Sequence, residues 1–159
     1  MILRRMEKRD VPQVAAIERS TFSQPWSENA FLESLTNNYA YFLVAQEQVA
    51  NSAGDEANII IGYVGMYISF EEGEITNVAV AEVLRKNGVG ETLMKRMLAD
   101  AQKLGVTRIV LEVRVSNALA IRLYEKCGFK EIGIRKGFYD FPKEDGSIMV
   151  WESETEQEV

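Results

Sequence analysis

The chain has 159 residues, 47% of them hydrophobic and 26% charged, which excludes a disordered or collagen-like polymer and allows roughly 70% of the unfolded surface to be buried without staples. It contains no histidine and one cysteine, Cys127, so triads that need histidine, histidine–metal chemistry and an internal disulfide are excluded, and a reducing, cytoplasmic setting is expected. The net charge of −6 falls to −2 once the acidic tail carrying Glu152, Glu154, Glu156 and Glu158 is set aside, so the body has no basic excess for nucleic acid. No apolar run is long enough for a membrane helix, and Met1-Ile2-Leu3-Arg4-Arg5 leads into polar sequence without a signal-peptide core.

In chain order, Met1–Arg5 predicts a short strand. Asp10 reads as an N-cap with Pro12 in the first turn and Gln13 at the capping-box position, and Val11, Val14, Ala15 and Ile17 give a helical stripe to about Ser20. Ser27 caps a second helix, Glu28–Leu35, with Trp26 and Phe31 spaced as a hydrophobic staple. Ala40–Gln46 reads as a strand, Asn51–Glu56 as a mobile loop, and Ile59–Phe70 as a β-rich run. Gly73 is expected to open the turn into an antiparallel strand, Glu74–Val80. The stripe Val89, Leu93, Met94, Met97, Leu98, Ala101, Leu104 predicts a helix over Gly88–Leu104 that Gly105 stops. Thr107–Val115 is a β-branched strand, Asn117 caps a helix to Lys126, Gly128-Phe129 ends it, and Lys130–Gly137 and Ser147–Trp151 are final strands. A hairpin followed by βαβαββ indicates an α/β or α+β chain with one sheet and helices on both faces, over residues 1–151, with 152–159 as a solubilising tail.

Four features carry chemistry. Arg85-Lys86-Asn87-Gly88-Val89-Gly90 precedes the long helix. Its glycines permit close backbone approach, and the unpaired helix amides and basic residues suit a pyrophosphate; the competing reading is a glycine-rich turn. It is neither a Walker loop nor a dinucleotide fingerprint, because no Gly-Lys-Ser/Thr follows and Leu93 replaces the third glycine. Glu112 stands inside the apolar strand 109–115, where an unpaired carboxylate is costly; either it is functional or it pairs with Arg114, two residues on. Asn117 and Tyr124 share one helix face, so Tyr124 can address whatever Asn117 faces, or can simply be a core tyrosine. Thr76-Asn77 interrupts an apolar strand and reads as a bulge.

Together these pieces resemble a known family. Ile75-Thr76-Asn77-Val78-Ala79-Val80, Arg85-x-x-Gly88-x-Gly90, Leu111-Glu112-Val113-Arg114-x-Ser116-Asn117 and Leu123-Tyr124-Glu125-Lys126-x-Gly128-Phe129 are similar, in that order, to the GNAT superfamily of acetyl-CoA-dependent N-acetyltransferases. With Phe22-Ser23-x-Pro25-Trp26-Ser27 and Glu144-Asp145, the chain resembles the RimI-like branch, which acetylates the N-terminal alanine of the small-subunit ribosomal protein numbered eighteen. The resemblance implies the GNAT fold: a single mixed, largely antiparallel sheet with a splayed parallel pair. It implies acetyl-CoA as co-substrate, with no metal. The Val78, Ala79 and Val80 backbone would pair with the pantetheine arm, Arg85, Lys86, Asn87, Gly88, Val89 and Gly90 would hold the pyrophosphate, and Asn117 would also touch coenzyme A. Glu112 matches the family's general base and Tyr124 its general acid. Trp26, Tyr139, Glu144 and Asp145 would line the acceptor-peptide side. The implied partner is a protein N-terminus, bound by a monomer or weak dimer, with neither nucleic acid nor membrane. Three positions depart from the family pattern: Phe138 where a second tyrosine is usual, Cys127 for leucine, and a longer loop at Asn51–Glu56.

The implied reaction needs a neutral amine. At pH 7 an α-amine is about 14% neutral and a lysine about 0.04%, a difference of about 300-fold, so a carboxylate base suits an N-terminal amine better. Amides near Asn77–Ala79 could stabilise charge on the carbonyl oxygen. The rival readings are a GNAT enzyme acting on lysine or a small-molecule amine, an acyl-CoA-binding sensor, and an interaction domain without a ligand.

Overall fold

The computed structural model describes residues 1–85 and 87–154; Glu156 and Glu158 of the acidic tail lie outside the described residues. Strands β1 (Ile2–Arg5), β2 (Ala40–Ala50), β3 (Glu56–Ser69), β4 (Glu72–Val80), β5 (Arg108–Arg114), β6 (Lys130–Tyr139) and β7 (Glu144–Glu152) form one sheet in the order β1-β2-β3-β4-β5-β7-β6. Every neighbouring pair is antiparallel except β4–β5. Helices α1 (Val11–Thr21) and α2 (Glu28–Leu35) precede β2, α3 (Val89–Lys103) joins β4 to β5, and α4 (Ala118–Lys126) follows β5. This is the mixed sheet with one parallel pair that the sequence predicts.

Strand alternation sorts the apolar side chains into two cores. Leu43 and Ala45 of β2 and Ile109, Leu111 and Val113 of β5 pack with α3 and α4. Phe42 and Val44 pack on the opposite face with Val14, Ile17 and Phe31 of α1 and α2. Ser27 accepts from the Ala30 amide (3.1 Å) to start α2, and the rings of Trp26 and Phe31 close the staple at 5.2 Å. Helix α4 ends where the Phe129 amide donates to the Tyr124 carbonyl (3.0 Å).

The predicted bulge decides the shape of the sheet. Pairing passes from Met66–Ile75 to Gly65–Asn77, so Thr76 is the extra residue. One added residue inverts the alternation. Ile75, Val78 and Val80 therefore all belong to the α3 core, while Ala79 belongs to the α1 core and Asn77 reaches Glu18 of α1. Opposite the bulge, a Cβ on Gly65 would lie 2.6 Å from the Phe42 ring and 2.9 Å from Thr76 Oγ1, so only glycine lets the strands meet there. The parallel ladder between β4 and β5 covers only Glu72–Arg108, Gly73–Ile109 and Glu74–Val110. From the bulge onward the two strands have no pairing with each other.

Four local expectations are corrected. Asp10 precedes α1 but its side chain does not cap it, because a 3-10 turn over Lys8–Asp10 leads into the helix and the Val11 amide already donates to the Lys8 carbonyl. The Asp10 carboxylate instead accepts from both terminal nitrogens of Arg4 (2.8 Å each) and from the Glu7 amide (2.8 Å). Gln13, placed in a capping box by sequence, accepts from the Ile60 amide (2.9 Å). Gly73 lies inside β4 opposite Ile68, and the turn is at Phe70-Glu71; a Cβ on Gly73 would sit 2.8 Å from the Met66 sulfur, so the glycine serves close packing. The loop after β2 is tighter than expected: the strands pair to Ala50–Glu56, and Asn51 Oδ1 accepts from Ala53 (2.9 Å) and Asp55 (3.0 Å).

Candidate active site

The opening between β4 and β5 is where an extended ligand could reach strand backbone. The bulge turns β4 there, and Val78 and Val80 contribute half-buried side chains to one wall. On β5, Ile109, Leu111 and Val113 are buried on the α3 side, so Glu112 and Arg114 face the other way.

Glu112 is held on one oxygen only. Its Oε1 lies 3.3 Å from an Arg135 terminal nitrogen, while Oε2 is buried without a hydrogen-bond partner among the described residues. The pairing with Arg114 that the sequence allowed is not made; Arg114 bonds Glu144 (3.1 Å) and the carbonyls of Asp140 (2.9 Å) and Pro142 (2.8 Å) and stacks on the Tyr139 ring at 4.6 Å. Arg135 is 55% exposed, so its ion pair is worth about 0–1 kcal/mol. An orphaned buried oxygen costs about 1–3 kcal/mol, more for a charged group. Desolvation therefore wins: burial lifts the Glu112 carboxyl above its usual range, Arg135 pulls back and Glu74 pushes further up.

Tyr124 is buried in the α3-side core rather than on the Glu112 face. Tyr139 connects the two electrostatically. Burial, then the Glu112 charge, pushes Tyr139 up to about 12. Burial, then Tyr139 and Cys127, raises the Tyr124 phenol above its ordinary value. Both phenols therefore keep their protons at neutral pH.

The glycine loop meets α3 as a left-handed cap: Gly88 has φ +82°, which a side chain would strain, and its carbonyl accepts from the Thr92 amide (3.0 Å) and hydroxyl (2.8 Å). The first amides of α3 have no intrahelical acceptor. Val89 sends its side chain into the core, Gly90 would bring a Cβ to 3.3 Å from Leu123, and Asn87 is exposed. Arg85 donates to the Val80 carbonyl (3.0 Å) and Thr21 Oγ1 (2.9 Å). Lys86 lies outside the described residues. Asn117 spends its Oδ1 on capping α4 at the Ala120 amide (3.2 Å). The segment thus pairs a helix N-terminus with a glycine cap, the arrangement that receives phosphate. Among the described residues, no group of three or more Cys, Asp or Glu is placed to hold a metal ion, and no helix is long and apolar enough to cross a membrane.

The model of the Acetyltransferase (GNAT) family matches residues 11–129. The chain belongs to the GNAT acetyltransferase family. It is 34% identical over 141 residues to the ribosomal protein bS18-alanine N-acetyltransferase of Escherichia coli K12, covering 89% of this chain and 87% of that one. It is 36% identical over 148 residues, 92% of each chain, to a Bacillus subtilis protein provisionally given the same name. The crystal structure of the Escherichia coli ribosomal-protein-S18-alanine N-acetyltransferase superposes with a TM-score of 0.79 at 28% identity, covering 95% of this chain and 92% of that one. This GNAT chain is thus an acyltransferase of a family that draws its acetyl group from acetyl-CoA.

The remaining predicted residues are held by local contacts. Trp26 packs among Phe31, Phe42 (6.2 Å) and Tyr67 (6.3 Å). Glu144 accepts from the Ser116 amide (2.8 Å) and Arg114, and these contacts hold its carboxyl below the usual range. Asp145 accepts from the Gly137 amide (2.8 Å). Both acids brace the β5–α4 and β6–β7 connections.

Two residues escape the sequence reading. Arg135 lies on an exposed strand and only cross-strand register brings it to Glu112. Glu18 is 3% exposed; it accepts from the Tyr63 hydroxyl, Asn77 Nδ2 (3.4 Å) and the Trp26 amide (3.0 Å). A signal for Glu18 existed: it continues the buried spacing of Val11, Val14 and Ala15.

Proposed function

We propose that this acetyltransferase moves the acetyl group of acetyl-CoA to the α-amine of a protein N-terminus, and that its acceptor is the N-terminal alanine of a bS18-type ribosomal protein. The observation carrying the acceptor is that the Escherichia coli and Bacillus subtilis relatives, each more than 30% identical across about nine tenths of the chain, bear that activity in their names.

Acetyl-CoA supplies a thioester whose carbonyl a neutral amine attacks directly. The β4 edge at Val78, Ala79 and Val80, where pairing with β5 has ended, offers strand backbone to an extended pantetheine arm. Arg85–Gly90, with Lys86, and the first turn of α3 offer charge and amides to the pyrophosphate, and Asn117 would also touch coenzyme A. Arg85 would then exchange Thr21 for phosphate. Glu112, with its unpartnered oxygen and raised pKa, takes the proton that the amine sheds. Tyr124 serves the departing sulfur. A thiol near 8.5 is less basic than an ordinary phenolate near 10, so full proton transfer is uphill by about 2 kcal/mol even before burial. Tyr124 therefore acts first as a hydrogen-bond donor to the growing thiolate, and the proton follows as the sulfur leaves. Trp26, Tyr139, Glu144 and Asp145 shape the acceptor seat.

The test is mass spectrometry after incubation with acetyl-CoA and three peptides: one beginning with alanine, the same peptide with another first residue, and one with a blocked N-terminus and an internal lysine. One acetyl group on the α-amine of the alanine peptide is the expected result. Acetylation of the lysine peptide alone overturns the acceptor assignment.

A further inference from the structure

β7 lies between β5 and β6, so a side chain of β6 must cross it to reach Glu112. Arg135 does so at the position where β7 carries Gly146: Arg135 pairs in register with Gly146, which pairs in turn with Arg114. With no side chain at 146 in the way, the guanidinium lies 3.3 Å from Glu112 Oε1 and 5.1 Å from the Phe138 ring centre. A Cβ at position 146 would fall 3.3 Å from Tyr139 and 3.5 Å from Phe138, so the same glycine makes room for the aromatic pair.

We propose that Arg135 is a positioning residue for the base: its guanidinium, reaching across β7, engages Glu112 Oε1 and leaves Oε2 as the oxygen that accepts the amine's proton. This rests on the reading of Glu112 as base. The groups facing Glu112 are few. Arg135 and Tyr139 come from β6, Glu74 from β4, and Ile148, which does not titrate, stands opposite on β7. Arg114, on the same strand, is engaged by Glu144. Arg135 is thus the one cation acting on Glu112 against burial and Glu74 among the described residues. A base in this setting without it would hold its proton to higher pH and stand idle over more of the working range.

The experiment compares the pH dependence of kcat/KM for wild type, R135Q, R135K and E112Q on an alanine-initial peptide. Thermal unfolding checks that each variant folds, and a carbon-13 NMR titration of the Glu112 carboxyl is followed in the first three. The expected result is an acid limb moved to higher pH in R135Q, with a several-fold loss at the acidic end, a parallel shift of the Glu112 titration, and return of both in R135K. An R135Q protein that folds and keeps both the limb and the titration of wild type overturns the inference. So does one whose only change is a raised peptide KM, which would make Arg135 an acceptor contact. The E112Q arm separates the two readings: wild-type kcat/KM in E112Q defeats the base assignment itself, whereas its collapse there with no shift of the Glu112 titration in R135Q defeats only the role of Arg135.

Discussion

Two carboxylates stand on the same side of the sheet, on either side of the opening between β4 and β5, and they are treated in opposite ways. Glu18, from α1, is saturated: both oxygens accept, and the donors come from β3, the β4 bulge and the segment before α2. Glu112, from β5, has one oxygen on an exposed arginine and the other on no partner among the described residues. A fully satisfied buried carboxylate stabilises the arrangement around it; an under-satisfied one is less stable charged and correspondingly more basic. The acetyltransferase places the first under the bulge that shapes its opening and the second at the opening itself.

That contrast breaks most visibly in catalysis. E112Q is expected to lower kcat by about 10²–10⁴-fold, the usual contribution of a general base, with little change in acetyl-CoA affinity or unfolding temperature. Steady-state kinetics beside a thermal melt read both. A variant that turns over at the wild-type rate would make Glu112 a structural residue like Glu18. Y124F should also lower kcat, by removing the hydrogen bond to sulfur.

Glu18 should show the reverse. E18A leaves the Tyr63 hydroxyl, the Asn77 amide and the Trp26 amide without their acceptor. At about 1–3 kcal/mol for each buried orphan, partial rehydration still leaves a loss of about 3 kcal/mol or more. Chemical denaturation measures it. A loss below about 0.5 kcal/mol, the ordinary scatter of surface substitutions, would mean that the network contributes nothing to stability.

How much of this was legible in the sequence follows from the range of the forces involved. Caps and stripes are local, so Ser27, Asn117 and the α3 stripe mark their helices, and the Thr76-Asn77 interruption marks its bulge. Gly73 was misplaced because a glycine that ends a strand and one that admits a neighbouring Met66 sulfur look alike along the chain. Asp10 was misread because Arg4, its partner, comes from another element. At the site, Glu112 was legible as a carboxylate where an apolar residue belongs. Its partner was not, since Arg114 is near in sequence while Arg135 arrives only through the register of β7 and β6.

The bulge offers a smaller effect that sharpens the comparison from the backbone. G65A would force a Cβ against Phe42 and Thr76. Overpacking of that kind costs about 1–3 kcal/mol. Because the strain falls on the residue that inverts β4, acetyl-CoA affinity should weaken along with stability. Calorimetric titration beside a melt distinguishes this from a purely global loss. Unchanged affinity in the folded variant would separate the bulge from the ligand path.

The smallest effect is the pH dependence of stability, where the carboxylates of Glu112 and Asp10 run in opposite directions. Burial raises the Glu112 carboxyl above its unfolded value. Its contribution is therefore most favourable below the unfolded pKa, where both states hold the proton, and is lost as pH rises through the folded value. At neutral pH the charged Glu112 is a net cost to folding. E112Q should then be at least as stable as wild type at pH 7, its advantage shrinking to nothing as the pH falls below the carboxylate range. Asp10 runs the other way: burial pushes it up, but the Arg4 and Glu7 donors outweigh that and hold it below its usual value. Its contribution is present above the unfolded pKa and is lost as pH falls through the folded one. Stability curves of E112Q and D10N between neutral and acid pH should therefore diverge from wild type in opposite directions at pH 7 and converge on it in acid. If E112Q proved the less stable protein at pH 7, the Glu112 charge would be stabilised by its surroundings, and the strained base argued from its orphaned oxygen would not exist.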